Sequence, residues 1–244
     1  MSRTATNGTM KKRFLLVLVG LSITTSGLFA RDKLIEVDTP RSALYAANQA
    51  NELYKKGDLE GARRMYDAAV HADPKLYLAI YFRGEISMQQ HRWELAAQDF
   101  NSVLKISPGF FLAAIRRGEA NARLGRYELS LADYDKVLSL HPMIGSRGRA
   151  KTARAWLRAT CPNPAFRNGQ QAVVDAKAAC NLCSWGEWDY IDTLAAAYAE
   201  AGDFDSAIKF EQKAISKAKK EDNIKGAQAR LALYQQHKPY RDGL

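Results

Sequence analysis

One spacing constrains this chain more than anything else in it. Gly57-Asp58-Leu59, His91-Arg92-Trp93 and Gly125-Arg126-Tyr127 stand 34 residues apart each time. Around them five further columns recur in register. Gln49, Arg83 and Arg117 come eight residues earlier, followed by Ala50, Gly84 and Gly118. Ala62, Ala96 and Ser130 come five residues later, then the aromatics Tyr66, Phe100 and Tyr134, then Pro74, Pro108 and Pro142. A fixed period of this length marks stacked supersecondary units, none of which buries its apolar face alone.

Each column has a physical reason. Small residues let two antiparallel helices approach closely, and the aromatic fills the gap to the next unit. Proline cannot continue a helix and so ends the second helix of each pair. Gly57 and Gly125 suit a turn that needs a left-handed residue. His91 departs there and must accept strain or a different turn.

These columns resemble the tetratricopeptide repeat family. The resemblance covers three regular units, 43–76, 77–110 and 111–144, and a further one at 188–221, where Asp192-Thr193-Leu194-Ala195-Ala196-Ala197-Tyr198 runs through Gly202-Asp203-Phe204 to Ala207 and Ala214. Residues 145–187 read as an irregular pair, with helices at Ser146–Thr160 and Gly169–Cys183 interrupted by Cys161-Pro162-Asn163-Pro164. Residues 31–42 read as a linker or short helix, and 222–244 as a capping helix, Lys225–His237, with a tail. The order of Ala155-Trp156-Leu157, Thr160-Cys161-Pro162, Asp192-Thr193-Leu194 and Lys238-Pro239-Tyr240-Arg241 is similar to the C-terminal region of a subset of bacterial tetratricopeptide proteins. The resemblance implies an all-α fold, a right-handed superhelical solenoid of antiparallel helix pairs with a C-terminal cap. It also implies interaction work in a concave groove rather than catalysis.

The N-terminus reads as an address. Lys11-Lys12-Arg13 precedes the apolar run Phe14–Leu21, which fades toward Ala30, in the manner of a secretory signal peptide. Met10 begins the compact form of this signature and is a second candidate start. Cleavage after Ala30 would place Leu28 at a position that prefers a small residue, so the alternative is that residues 14–30 stay as an anchor at the short limit for a span. The expectation is export, to a periplasmic or secreted location or to a membrane anchor. The formal net charge is +10, of which residues 1–30 supply +4. The remainder is a mild excess, and no nucleic-acid partner is expected.

In peptide-holding members of the family, the second, fifth, sixth and ninth residues of the first helix face the groove. Here these are Leu44, Ala47, Asn48 and Asn51, then Leu78, Tyr81, Phe82 and Glu85, then Leu112, Ile115, Arg116 and Glu119. Of the family's carboxylate clamp only Asn51 and Arg116 match, so a chaperone-tail clamp is not expected. The surface near Leu78, Tyr81, Leu112 and Ile115 reads as an apolar patch that docks a partner or is covered by segment 31–42.

No acid occurs between Asp135 and Asp175, and in that gap Arg147, Lys151, Arg154 and Arg158 share one helix face. Read bare, the stripe is a solvated helix face; if Ala153 opens the unit, Arg154 and Arg158 instead join Arg116 in the groove and favour an acidic peptide, a phosphate-bearing lipid head or an anionic glycan. The candidate contacts are therefore Asn51, Tyr81, Ile115, Arg116, Arg154 and Arg158.

Cys161, Cys180 and Cys183 all fall in the irregular unit. A Cys161–Cys180 disulfide is a candidate staple for an exported chain, with three reduced thiols as the alternative. Cys180-Asn181-Leu182-Cys183 has C-x-x-C spacing but no strand before it. The histidines occupy helix-end columns, and no nucleophile elbow, phosphate loop or dinucleotide fingerprint appears. No enzyme activity, metal or cofactor is expected. Two functions follow: a non-catalytic adaptor binding a protein or peptide in its groove, or a self-associating structural component of an envelope complex.

Overall fold

The computed structural model describes residues 39–243. The expected export segment 1–30 and the residues up to 38 lie outside them. Eleven α-helices and one short 3-10 turn follow one another among the described residues. They are α1 (Thr39–Lys55), α2 (Leu59–Ala72), α3 (Tyr77–Gln89), α4 (Trp93–Ile106), α5 (Phe111–Arg123), α6 (Tyr127–Ser139), α7 (Ile144–Thr160), α8 (Gly169–Leu182), α9 (Trp188–Glu200), α10 (Phe204–Lys217) and α11 (Glu221–Gln235). The 3-10 turn is Pro164–Phe166, between α7 and α8. Consecutive helices pack as antiparallel pairs, and α7 also touches α5 and α9. No described helix is long and apolar enough to cross a membrane.

The recurring columns explain how the pairs close. Ala62, Ala96, Ser130 and Ala207 are fully buried where the two helices of a pair meet. The Phe100 ring lies over Gly84 and the Tyr134 ring over Gly118, so closely that an added Cβ would come within 2.8 and 2.6 Å of them. Glycine at these positions admits the ring, and the ring then fills the space a larger side chain would take. Tyr66 lies in the same core cluster as Ala50, one unit earlier.

Turns between paired helices use left-handed residues, with Gly57, Gly125 and Gly202 at φ +82, +72 and +86°. His91 takes φ +57°, so it accepts the strain rather than changing the turn, and its ring packs edge-on against Trp93 at 5.0 Å. Second helices start at side-chain caps where an acceptor is present. Asp58 accepts from the Gly61 amide, Asn168 from Gln171 and Asp203 from Ser206.

Helix bounds differ from the sequence expectation by one or two residues in α7 and α8 and at the end of α11, and by four residues at two starts. α1 begins at Thr39, four residues ahead of the first unit as read from the period. α11 begins at Glu221 instead of Lys225, with Glu221 and Asp222 in its first turn, where acidic residues complement the helix dipole.

Candidate functional site

First helices of successive pairs turn one face toward a common groove of about 890 Å³. α5 contributes Leu112, Ile115, Arg116, Glu119 and Arg123; α7 contributes Arg149, Thr152, Ala153, Trp156 and Thr160. Both sets follow the i, i+3, i+4, i+7, i+11 rhythm of a single helix face. Glu85, Met88 and Gln89 of α3 close one end. Asp189, Tyr190, Asp192 and Thr193 of α9 close the other.

Charge in the groove is mixed. Arg116 is held between two carboxylates, donating through Nη2 to Glu85 Oε2 at 3.0 Å and through Nη1 to Glu119 Oε2 at 2.8 Å. Burial pushes the Glu85 carboxyl up, and Arg116 beside it pulls it back down. The lining holds Arg116, Arg123 and Arg149 against Glu85, Glu119, Glu187, Asp189, Asp192 and Asp242. It is acidic on balance.

Of the expected contacts, the groove brings together Ile115 and Arg116. Asn51 instead accepts a hydrogen bond from the Tyr66 hydroxyl at 2.5 Å and ties α1 to α2. Tyr81 packs among Phe82, Phe100 and Phe110, behind the groove wall. Its hydroxyl engages Glu85 and Arg116, and burial pushes its pKa up to about 12.

Arg154 and Arg158 do not face the groove. Arg154 donates through Nε and Nη2 to Asp175 at 2.8 and 2.7 Å and through Nη1 to Asp135 at 2.5 Å. Arg158 and Lys151 reach the same Asp175 carboxylate at 3.4 and 3.3 Å. Asp175 is 1% exposed, at the α7–α8 contact. The reason is helix phase. The groove face of α7 is Arg149, Ala153, Trp156 and Thr160, each two residues beyond a member of the basic stripe, and two residues turn a helix about 200°. The stripe thus lies opposite the groove; Asp135 and Asp175, the acids that bound the acid-free stretch, pair with Lys151, Arg154 and Arg158, and Arg147 donates to the Pro142 carbonyl.

The Cys161–Cys180 disulfide is not formed, and all three cysteines are free thiols. Cys161 packs with Tyr127 and Leu157, whereas Cys180 packs with Ala155, Ala159 and Ile191. The two thiols therefore belong to different core clusters. Burial pushes the Cys180 thiol up to about 12, the direction opposite to that of a redox-active thiol.

Sequence reasoning missed Arg123, Arg149, Trp156 and Asp242 in the groove. Arg149 and Trp156 were within reach: on α7 the groove face carries the same spacing as the basic stripe with an aromatic in it, and Arg123 continues the α5 face of Leu112, Arg116 and Glu119 by one turn. A second omission is Glu211, which is fully buried. It stands nine residues after Gly202, in the column that holds Tyr66, Phe100 and Tyr134 in the other units. A carboxylate in an aromatic column is a legible signal. It meets Arg230 of α11 at 3.3 Å, and the same guanidinium bonds Asp192 at 2.6 Å.

Residues 48–110 match the family model described as tetratricopeptide repeat. Among solved structures, a tetratricopeptide repeat protein of Parabacteroides merdae is 18% identical, with a TM-score of 0.64 over 82% of this chain and 75% of that one. A thermophilic tetratricopeptide protein of Thermus thermophilus is 17% identical, with a TM-score of 0.61 over 78% and 99%. The tetratricopeptide protein YrrB is 20% identical, with a TM-score of 0.51 over 77% and 92%. No curated protein matches the chain. At these identities the likeness to solved structures is one of fold. Residues 48–110 are thus similar to tetratricopeptide repeat, and the eleven described helices share the all-α solenoid fold of these tetratricopeptide structures.

Proposed function

We propose that this protein is a non-catalytic interaction adaptor that holds a peptide segment of a partner protein in its concave groove. The observation that carries the reading is the groove itself. It is a concave site of about 890 Å³ lined by apolar and aromatic side chains together with charges of both signs. Such sites take extended segments by combining apolar anchors with a few fixed polar contacts. The fold is shared with YrrB, whose structure is described as having an unusual peptide-binding site. With Arg154 and Arg158 turned away, the groove suits a segment carrying both charges rather than a purely acidic one. Export, with residues 1–30 as signal or anchor, belongs to the same proposal and rests on the sequence alone.

The test is affinity capture from an envelope extract with the full chain, beside variants Arg149→Glu and Thr152→Trp. Both positions line the groove and neither is fully buried. A partner retained by the parent and lost from both variants supports the reading. A partner kept by all three places the interaction elsewhere.

A second reading, self-association in an envelope assembly, is favoured by Leu140, Met143 and Ile144 at the α6–α7 junction, exposed at 54%, 84% and 59%. Sedimentation mass that rises with protein concentration, and ceases to do so in Met143→Glu, would select it.

A further inference from the structure

Beyond α11 the chain turns back toward the groove. His237 takes φ +55°, and the following residues run without regular structure. The Tyr240 ring comes 5.9 Å from the Trp156 ring, and the Arg230 guanidinium lies 5.6 and 5.7 Å from the two. Two residues on, Asp242 accepts a hydrogen bond from Trp156 Nε1 at 2.9 Å and from Arg123 Nη1 at 3.2 Å. The Asp242 amide donates to the Thr160 carbonyl at 2.9 Å. That carbonyl is free to accept because α7 ends there, and the last carbonyls of a helix have no partner within it. Between the two, Arg241 pairs with Glu200 at 2.6 Å.

A peptide ligand is held in this manner, with alternate side chains anchored and a backbone hydrogen bond setting the register. Yet none of residues 238–243 is fully buried. Stacking and polar contacts hold the segment, and such contacts exchange with a competitor that supplies the same groups.

We propose that Tyr240–Asp242 is an internal ligand of the groove. Its pocket, made by Arg123, Trp156, Thr160 and Arg230, takes a partner peptide with an aromatic residue two positions before an aspartate. This deepens the adaptor reading and rests on it for the foreign partner only. A partner's apparent affinity is then reduced by the fraction of molecules whose pocket is filled.

The experiment uses the full chain, the full-chain variant Tyr240→Ala/Asp242→Ala, and a fluorescent synthetic peptide of residues 237–244. The double variant is expected to bind the peptide on the order of tenfold or more tightly than the parent. Adding Trp156→Phe, which keeps an aromatic ring and removes the indole N–H, weakens that binding. Equal binding by parent and double variant, or binding by neither, overturns the proposal. Should the double variant lose the docking of α11, Asp242→Asn alone is read through the Trp156 indole N–H resonance. The resonance must move on substitution and return toward the parent position when peptide is added; no movement overturns the proposal. Envelope capture repeated with the double variant separates the two readings. A groove-dependent partner without binding of the 237–244 peptide sinks the internal ligand and spares the adaptor. Peptide binding without any captured partner sinks the adaptor and supports the internal ligand.

Discussion

Arg154 grips Asp175 with the same two atoms, Nε and Nη2, that Arg117 uses on Asp133 and Arg83 on Asp99. In each case the remaining Nη1 reaches back one unit, to Asp135, Asn101 and Asp67 respectively. Three arginines thus pin each helix pair internally and to the pair before it. Arg154 continues this pattern into the irregular unit, which lacks the glycine turn and the aromatic column. A bidentate pair between planar groups fixes orientation as well as distance. This is why the stripe containing Arg154 is structural.

Asp175 is the acceptor for three cations and is 1% exposed. Removing it leaves partly buried charge without a partner, a change that costs about 3 to 5 kcal/mol. Asp175→Ala is therefore expected to lower the thermal midpoint strongly. Arg158→Ala, whose contact is 3.4 Å long, should cost less than about 1 kcal/mol. Calorimetry of the two variants checks the contrast, and equal losses would refute this ranking.

Two kinds of glycine in one unit should respond differently. Gly118→Ala drives a Cβ to 2.6 Å from the Tyr134 ring, which is buried and cannot retreat freely. The expected cost is about 1 to 3 kcal/mol. Gly125→Ala meets nothing within 4 Å, and its cost comes from φ +72° alone, about 1 to 2 kcal/mol. His91 already bears that strain, so His91→Gly is expected to raise the thermal midpoint by about 2 to 4 °C, less whatever the lost contact with Trp93 contributes.

How far the molecule could be read beforehand follows from what periodicity encodes. The paired helices and their close contacts were legible because Gly84 with Phe100 and Gly118 with Tyr134 repeat at a fixed offset, and a repeated offset is a repeated contact. The groove residues of α7 were harder. Taking Ala153 as the first residue of the irregular unit, eight residues beyond where the 34-residue period opens it, put Arg154 and Arg158 on the groove face. The actual phase of α7 instead puts Trp156 there. Asp242 is a groove residue only because an irregular segment folds back over tens of residues, and no local pattern reports such a return. Glu211 could have been found, since it breaks the aromatic column, but its partner Arg230 lies in a helix outside the repeat.

Glu211 makes stability depend on pH. Burial raises its carboxyl from 4.5 to about 10, with Asp192 beside it acting in the same sense and Arg230 opposing. Between these values the folded chain holds a proton that the unfolded chain releases. Stability from this group therefore falls as pH rises through that window. Glu211→Gln keeps the shape and removes the titration. Its thermal midpoint should match the parent near pH 4.5 and exceed it at pH 8. A parent and variant with parallel midpoints across that range would show that Glu211 does not carry the buried proton.

The thiols offer a test of the core assignment that needs no variant. Cys161 and Cys180 are 1% and 0% exposed, in different clusters, whereas Cys183 is partly exposed and its Sγ donates to the Cys180 carbonyl at 3.3 Å. A maleimide should label Cys183 in the folded protein and reach the other two only when denaturant opens the solenoid. Protein purified without reductant should keep all three thiol hydrogens in its intact mass. A cross-linked Cys161–Cys180 peptide in a non-reducing digest would mean that α7 and α8 approach each other differently. The Arg154–Asp175 grip would then have to be rebuilt, because it spans the same two helices.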